Sequence, residues 1–176
     1  RYRNIAINGK ATNKKMEELP GSRSTGEFGT VLVDVLSPST NADFRLRKEG
    51  TFEGKAALIY DYTVEHDGSH WRIEVGSQSV LPPYRGAIWL DKKNFRVLRI
   101  EMEARNVPEE FPLDKIESAV DYDYVRFSSE QLFLLPVHAE TLMCQRGTNI
   151  CSRNTIDFRN YHKYAGESNI TFGKQQ

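Results

Sequence analysis

Two segments of this chain alternate strictly between apolar and polar residues, and that pattern limits what it can fold into. Leu58, Tyr60, Tyr62 and Val64 alternate with Ile59, Asp61, Thr63 and Glu65. Further on, Leu98, Ile100, Met102 and Ala104 alternate with Arg99, Glu101, Glu103 and Arg105. A period of two sends successive side chains to opposite faces of an extended strand. Each segment therefore hides one face and wets the other, as in an antiparallel sheet resting on a core with its charged back in water.

The remaining punctuation extends this reading. His66-Asp67-Gly68-Ser69 reads as a turn that joins the first segment in a hairpin to Trp71, Ile73 and Val75. Gly86 to Leu90 and the segment from Leu98 flank a polar turn at Asp91-Lys92-Lys93-Asn94. Further strands are expected at Tyr2 to Asn8, Val120 to Phe127, Gln131 to Gln145 and Asn149 to Tyr164. Pro136 cannot donate to a ladder and marks an edge or a bulge. Val107 to Glu117, with Pro108 and Pro112, reads as a loop, and Leu81-Pro82-Pro83-Tyr84 as a rigid connector. Ser24-Thr25-Gly26-Glu27 fits a capping box ahead of Phe28, Val31, Leu32, Val35 and Leu36 at helical spacing, ended by Pro38. A second short helical turn is expected over Thr40 to Phe44. The sum is one mainly β (α+β) domain over residues 1–176. Its antiparallel sheet is strongly curved into an unclosed barrel, with one or two helices on the concave face.

Cys144 and Cys151 flank six residues that include Gly147, Thr148 and Asn149. A hairpin turning at Gly147–Thr148 sets the cysteines opposite each other at about 5 Å, within disulfide reach. Two buried thiols and half of a metal site are the alternatives, although no further Cys or His follows at zinc-like spacing. A disulfide would imply an oxidising compartment. The chain opens at Arg1, inside an alternating segment, and reads as a processed or trimmed product without its export signal and first strands.

Lysine plus arginine equals aspartate plus glutamate at 24 each, which gives no electrostatic case for nucleic acid. No run approaches the roughly 18 to 20 apolar residues that cross a bilayer; peripheral membrane contact stays open. Catalytic signatures are missing. His138-Ala139-Glu140 has the H-x-E spacing of zinc deaminases without the partner cysteine motif. His66 and His70 flank a turn and read as exposed, His162 as a packing residue, and Asp121 and Asp123 as solvated acids sharing a strand face. There is no G-x-S-x-G elbow, Walker loop or dinucleotide fingerprint. The expectation is a non-enzyme with no catalytic residues, no metal site and no cofactor.

Several stretches carry a family likeness: Ser24 to Gly29, Phe52 to Ala57 before Tyr60-Asp61-Tyr62, Tyr84 to Asp91, Arg96 to Glu101, and Leu135 to Glu140. Together they resemble exported proteins of soil acidobacteria. More distantly they resemble the lipoprotein-carrier superfamily (LolA/LolB-like, with the related sigma-factor regulators). The superfamily likeness is strongest in the G-x-I-W-L-D…R-V-L-R-I-E hairpin and the later strand bearing L-P-V. It spans most of residues 24–172, and its motifs are structural. It implies an unclosed β-barrel with helices plugging its concave side, where the carriers receive acyl chains.

Tyr60, Tyr62, Trp71, Trp89, Tyr122 and Tyr124 recur in neighbouring strands, either as core pairs or as the lining of a cavity. A curved sheet with one good helix leaves apolar surface over. The expected role is therefore binding of a hydrophobic ligand, a lipid or acyl chain, in the periplasm or at the outer envelope. The candidate lining is Phe28, Leu32, Tyr60, Tyr62, Trp71, Ile73, Leu98 and Ile100. The alternative is a protein–protein interaction or scaffold module of the bacterial envelope, using a sheet edge or the outer face.

Overall fold

The computed structural model describes residues 5–7, 9–15, 30–127 and 131–162. Its body is one seven-stranded antiparallel sheet, unclosed, in the order β11-β10-β9-β8-β7-β4-β3. The strands are β3 (Asp43–Phe52), β4 (Lys55–Val64), β7 (Tyr84–Asp91), β8 (Val97–Ala104), β9 (Leu113–Arg126), β10 (Leu132–Gln145) and β11 (Cys151–Asp157). Two small ribbons stand apart: β1 (Ala6–Ile7) with β2 (Lys10–Ala11), and β5 (Ile73–Val75) with β6 (Gln78–Val80). The helix α1 covers Thr30–Val35, and a 3-10 turn at Pro38–Thr40 follows it.

Turn chemistry fixes the meander. Glu53 and Gly54 both take positive φ, 47° and 77°, as a two-residue hairpin demands, and they close β3 onto β4. Gly147 at φ 69° turns β10 into β11. Cys144 and Cys151 then pair directly and form a disulfide, with Cα atoms 4.0 Å apart.

Registers define two faces. One apolar row crosses all seven strands, Leu46–Tyr60–Ile88–Ile100–Val120–Ala139–Ile156. The core sits on this face. Val35 of α1 is buried among Tyr62, Val64, Tyr84, Ile100 and Val120, with Val31 and Leu32 packed against them. The β5–β6 ribbon covers another part of the same face, where Ile73 joins Phe111, Leu113, Ile116 and Met143. Trp71 packs against both clusters.

Several expectations are corrected. The segment after Ser69 does not pair with β4. Ile73 to Val80 forms its own ribbon around Gly76 at φ 60°, and β4 pairs with β7 instead. With β3 on one side of β4 and β7 on the other, the ribbon packs on the face instead, where Ile73 is buried in the second cluster. Residues 113–117, read as loop, belong to β9, because Leu113 and Ile116 are buried in that same cluster. The helical turn expected at Thr40 to Phe44 is the Pro38–Thr40 turn, capped by Ser37 and followed at Asp43 by β3. The capping box and Phe28 lie outside the described residues. Pro136 does mark a bulge, between Pro136 and His138, where the β10–β11 pairing stops.

The sheet bends sharply at one end. Three strand spacings separate β4 from β9, about 14 Å in a flat sheet. Lys55 at the start of β4 nevertheless reaches Asp123 of β9 at 3.1 Å. Phe52 lies with its ring centroid 6.0 Å from the Arg99 guanidinium of β8. The end of the β3–β4 hairpin therefore curls over the charged face. A separate clasp holds the cysteine hairpin: Arg146 donates to the carbonyls of Val107, Pro108, Phe111 and Leu113 at 2.9 to 3.3 Å.

Candidate functional site

Of the sequence-derived lining residues, Leu32, Tyr60, Tyr62, Trp71, Ile73 and Ile100 belong to the apolar-face clusters, and most are covered. Tyr62, Ile73, Leu98 and Ile100 are buried, while Leu32, Tyr60 and Trp71 are half-buried and pack against the main cluster. Leu98 sits at the β7–β8 register shift and is buried outside both clusters. Over the central strands the expected apolar hollow is thus filled by α1 and by the side chains themselves.

The face opens at its margin. On edge strand β3, Phe44 and Leu46 point to the core side yet are 38% and 58% exposed. The sequence reading includes neither: Phe44 falls in the helical turn expected over Thr40 to Phe44, and no strand is expected at Leu46, although the alternation Asp43-Phe44-Arg45-Leu46 is the available signal. From Phe44 a chain of rings runs inward. Phe44 lies 5.6 Å from Tyr62, Tyr62 6.2 Å from Tyr84, and Tyr84 5.7 Å from Trp71.

Three buried phenols lie on this face. The Tyr62 hydroxyl donates to the Glu101 carbonyl at 2.8 Å. Burial drives its pKa far up, and the neighbouring Tyr84, Glu101 and Tyr122 add to the effect. Burial, reinforced by the charge of Asp34, lifts Tyr84 to about 12. Burial also lifts Tyr122 to about 12, against the smaller opposing effect of a hydrogen bond with the Leu32 backbone. Among the described residues the buried Tyr84 hydroxyl has no hydrogen-bond partner. Above them α1 is tied down by Asp34, whose carboxylate meets His70 at 3.2 Å and whose carbonyl accepts from the Thr40 hydroxyl at 2.5 Å.

The opposite face is a ladder of charges. Its rows read Asp61–Ala87–Glu101–Ala119–Glu140 and Thr63–Arg85–Glu103–Glu117 across successive strands. The small side chains of Ala87 and Ala119 leave a groove of about 620 Å³ between the pairs Arg47–Asp61 and Arg85–Glu103 and the network around Arg99. Arg99 binds Asp121 at 2.6 Å, Glu101 at 2.8 Å and Glu140 at 3.3 Å. Burial pulls the Arg99 pKa down, but the hydrogen bonds to Glu101 and Asp121 outweigh it and the net shift is upward. The hydrogen bond from Arg47 holds Asp61 below the ordinary carboxylate range, and that from Arg85 does the same for Glu103. Asp157 is lowered by its hydrogen bond with His138, 2.8 Å away.

Most of the residues weighed for chemistry have structural partners, while His162 is exposed rather than packed. Asp121 is a partner of Arg99 rather than a solvated acid, Asp123 meets Lys55, His138 meets Asp157, and Glu140 meets Arg99. His66 and His70 are exposed, as expected. Among the described residues no cluster of three His, Cys, Asp or Glu is arranged to hold a metal, and no helix is long and apolar enough to cross a membrane. Compared with known proteins, the chain matches no family model, no curated protein and no solved structure.

Proposed function

We propose that this protein is a non-catalytic binder of a hydrophobic ligand, a lipid or acyl chain, working in the bacterial envelope outside the cytoplasm. One observation carries the reading: the apolar row that spans the sheet is sealed at its centre and left open at β3. There Leu46 stands 58% exposed beside half-buried Tyr60. Isolated exposed apolar residues are ordinary, but this exposure continues a buried row and adjoins Phe44 and its chain of rings. The Cys144–Cys151 disulfide supports an oxidising location.

Native mass spectrometry of protein purified from cells tests the reading. Co-purifying lipid is expected, and Leu46→Asp should remove it without unfolding the protein. A clean polypeptide mass, together with no lipid uptake from vesicles, overturns it. A second role, as a docking module, is favoured by one feature: among the described residues β3 is a ten-residue edge strand of the sheet, with Arg45, Arg47 and Lys48 exposed on it. Those cations also guard the edge against self-pairing.

A further inference from the structure

The β9–β10 hairpin changes character at Asp123. Up to that residue its outward face is charged, with Glu140, Asp121 and His138 in the ladder and Asp123 itself held by Lys55. Beyond it, register sets Val125 opposite Phe133 on the same face and Tyr124 opposite Leu134 on the core face. This end of the hairpin is therefore apolar on both faces. β8 pairs with β9 only as far as Arg99–Asp121, and β11 with β10 only as far as Asp157–His138, so among the described residues it has no paired strand on either side. Tyr124, Leu132 and Phe133 are 43%, 51% and 39% exposed on it, and the Phe133 ring stands edge-on to Phe127 at 5.3 Å.

Charge is divided along the same axis. The β7–β8 turn lies at this end of the sheet and carries Lys92, Lys93 and Arg96 around Phe95, which is 65% exposed. With Arg159 after β11 these cations outnumber Glu53 and Glu130 in the neighbouring turns. Lys92 meets Glu49, but Lys93 and Arg96 form no ion pair among the described residues. At the opposite end the connections hold Glu65, Asp67, Glu109 and Glu110 against Arg105 and Arg146. The zero net charge of the chain thus hides a basic end and an acidic one.

We propose that the basic end of the sheet docks on an anionic lipid bilayer, with Tyr124, Leu132 and Phe133 entering the head-group layer and Lys93 and Arg96 over its phosphates. An element apolar on both faces needs apolar surroundings on both, which a bilayer supplies and a flat protein surface does not. Tyr124, Leu132, Phe133 and Phe95 together expose roughly 400 Å². That is about half of what each partner of a stable protein complex buries. Aromatic rings flanked by basic side chains suit the boundary between acyl chains and anionic head groups. Docking here is separate from ligand binding at the β3 margin.

Flotation tests it, with vesicles of phosphatidylethanolamine and phosphatidylglycerol beside vesicles of phosphatidylcholine alone. The wild type should bind the anionic vesicles about tenfold more tightly. Leu132→Ser/Phe133→Ser should weaken that binding about tenfold with an unchanged circular dichroism spectrum, since both side chains are already exposed. Lys93→Glu/Arg96→Glu should abolish the preference for anionic vesicles. Leu132→Trp, which keeps the tip apolar, should shift its emission to the blue when anionic vesicles are added. A wild type that floats with neither vesicle, a serine variant that binds as the wild type does, or unshifted emission from Leu132→Trp overturns the docking surface. So does a serine variant whose only change is lost self-association in sedimentation, which assigns the tip to a second copy. None of these outcomes bears on the hydrophobic-ligand reading, which stands or falls on lipid co-purifying with the protein.

Discussion

The Tyr62 hydroxyl reaches over Gly86 to the carbonyl of Glu101, 2.8 Å away, and so ties β4 to β8 past the strand between them. The contact exists because residue 86 has no side chain. A Cβ there would collide with the Glu101 carbonyl and come within 2.8 Å of the Tyr62 oxygen. Gly86→Ala should therefore cost about 3 kcal/mol or more, as backbone and ring are forced apart. Tyr62→Phe, which removes only the hydrogen bond, should cost about 1 kcal/mol. Urea unfolding of the two variants checks the ranking, and an Ala variant as stable as the Phe variant contradicts the crowding.

Arg99 is the centre of the charged face. Its side chain is 17% exposed and that of Asp121 13%, so removing either partner strands a mostly buried charge. Arg99→Met should lose about 2–4 kcal/mol, and Asp121→Asn a comparable amount. The double variant should lose clearly less than the sum. Additive losses in a double-mutant cycle would show that the two groups act independently.

High pH should unfold the protein through its phenols. Tyr84 and Tyr122 are held near 12 in the folded chain against an ordinary value near 10. Between those values the unfolded chain binds fewer protons, so stability falls as pH rises through the window and is intact below it. Each tyrosine accounts for roughly 2–3 kcal/mol by the upper end. Circular dichroism and tyrosinate absorbance should change together, and Tyr84→Phe should flatten the slope. On the acid side, Asp61, Glu103 and Asp157 contribute at neutral pH and lose that contribution as pH falls through and below the usual carboxylate range. Their exposure keeps this effect small.

Reducing the disulfide should be a local event. It closes a short loop, with a sequence separation of 7, so Cys144→Ser/Cys151→Ser should cost about 2–3 kcal/mol. Hydrogen exchange should rise in Cys144 to Asp157 and stay unchanged in β7 and β8. Exchange spreading through the whole sheet would mean that the staple stabilises the entire domain.

Strand periodicity made the sheet legible. The alternation through Leu98 to Ala104 appears as β8 with Ile100 and Met102 buried; in β4 Tyr62 and Val64 are buried as expected, but Leu58 and Tyr60 are half-buried while Ile59 on the other face is buried. The cysteine turn was equally readable, because Gly147 and the spacing determine it. What alternation cannot say is which strand lies beside which. The β5–β6 ribbon was mispaired because a Gly-containing turn after β4 looks the same whether the next segment returns to β4 or docks elsewhere. The candidate site suffered for the same reason. Ile100 reads as an apolar-side residue, but whether it lines a cavity or fills a core depends on what the helix and ribbon cover, and the bulge that puts Val97 rather than Leu98 in the core cluster leaves no local signal. The Arg99 network was visible only as the wet side of a strand, since Asp121 and Glu140 join it through registers that no local pattern encodes.

The clasp at Arg146 has a consequence for digestion. The residue sits beside Gly147 at the tip of a hairpin, where a trypsin-like protease would be expected to cut. Such an enzyme must draw the guanidinium into its own specificity pocket, and here that group is already occupied by the carbonyls of Val107, Pro108, Phe111 and Leu113. The bond after Arg146 is shielded by the occupation of its recognition handle, although the tip that carries it faces solvent.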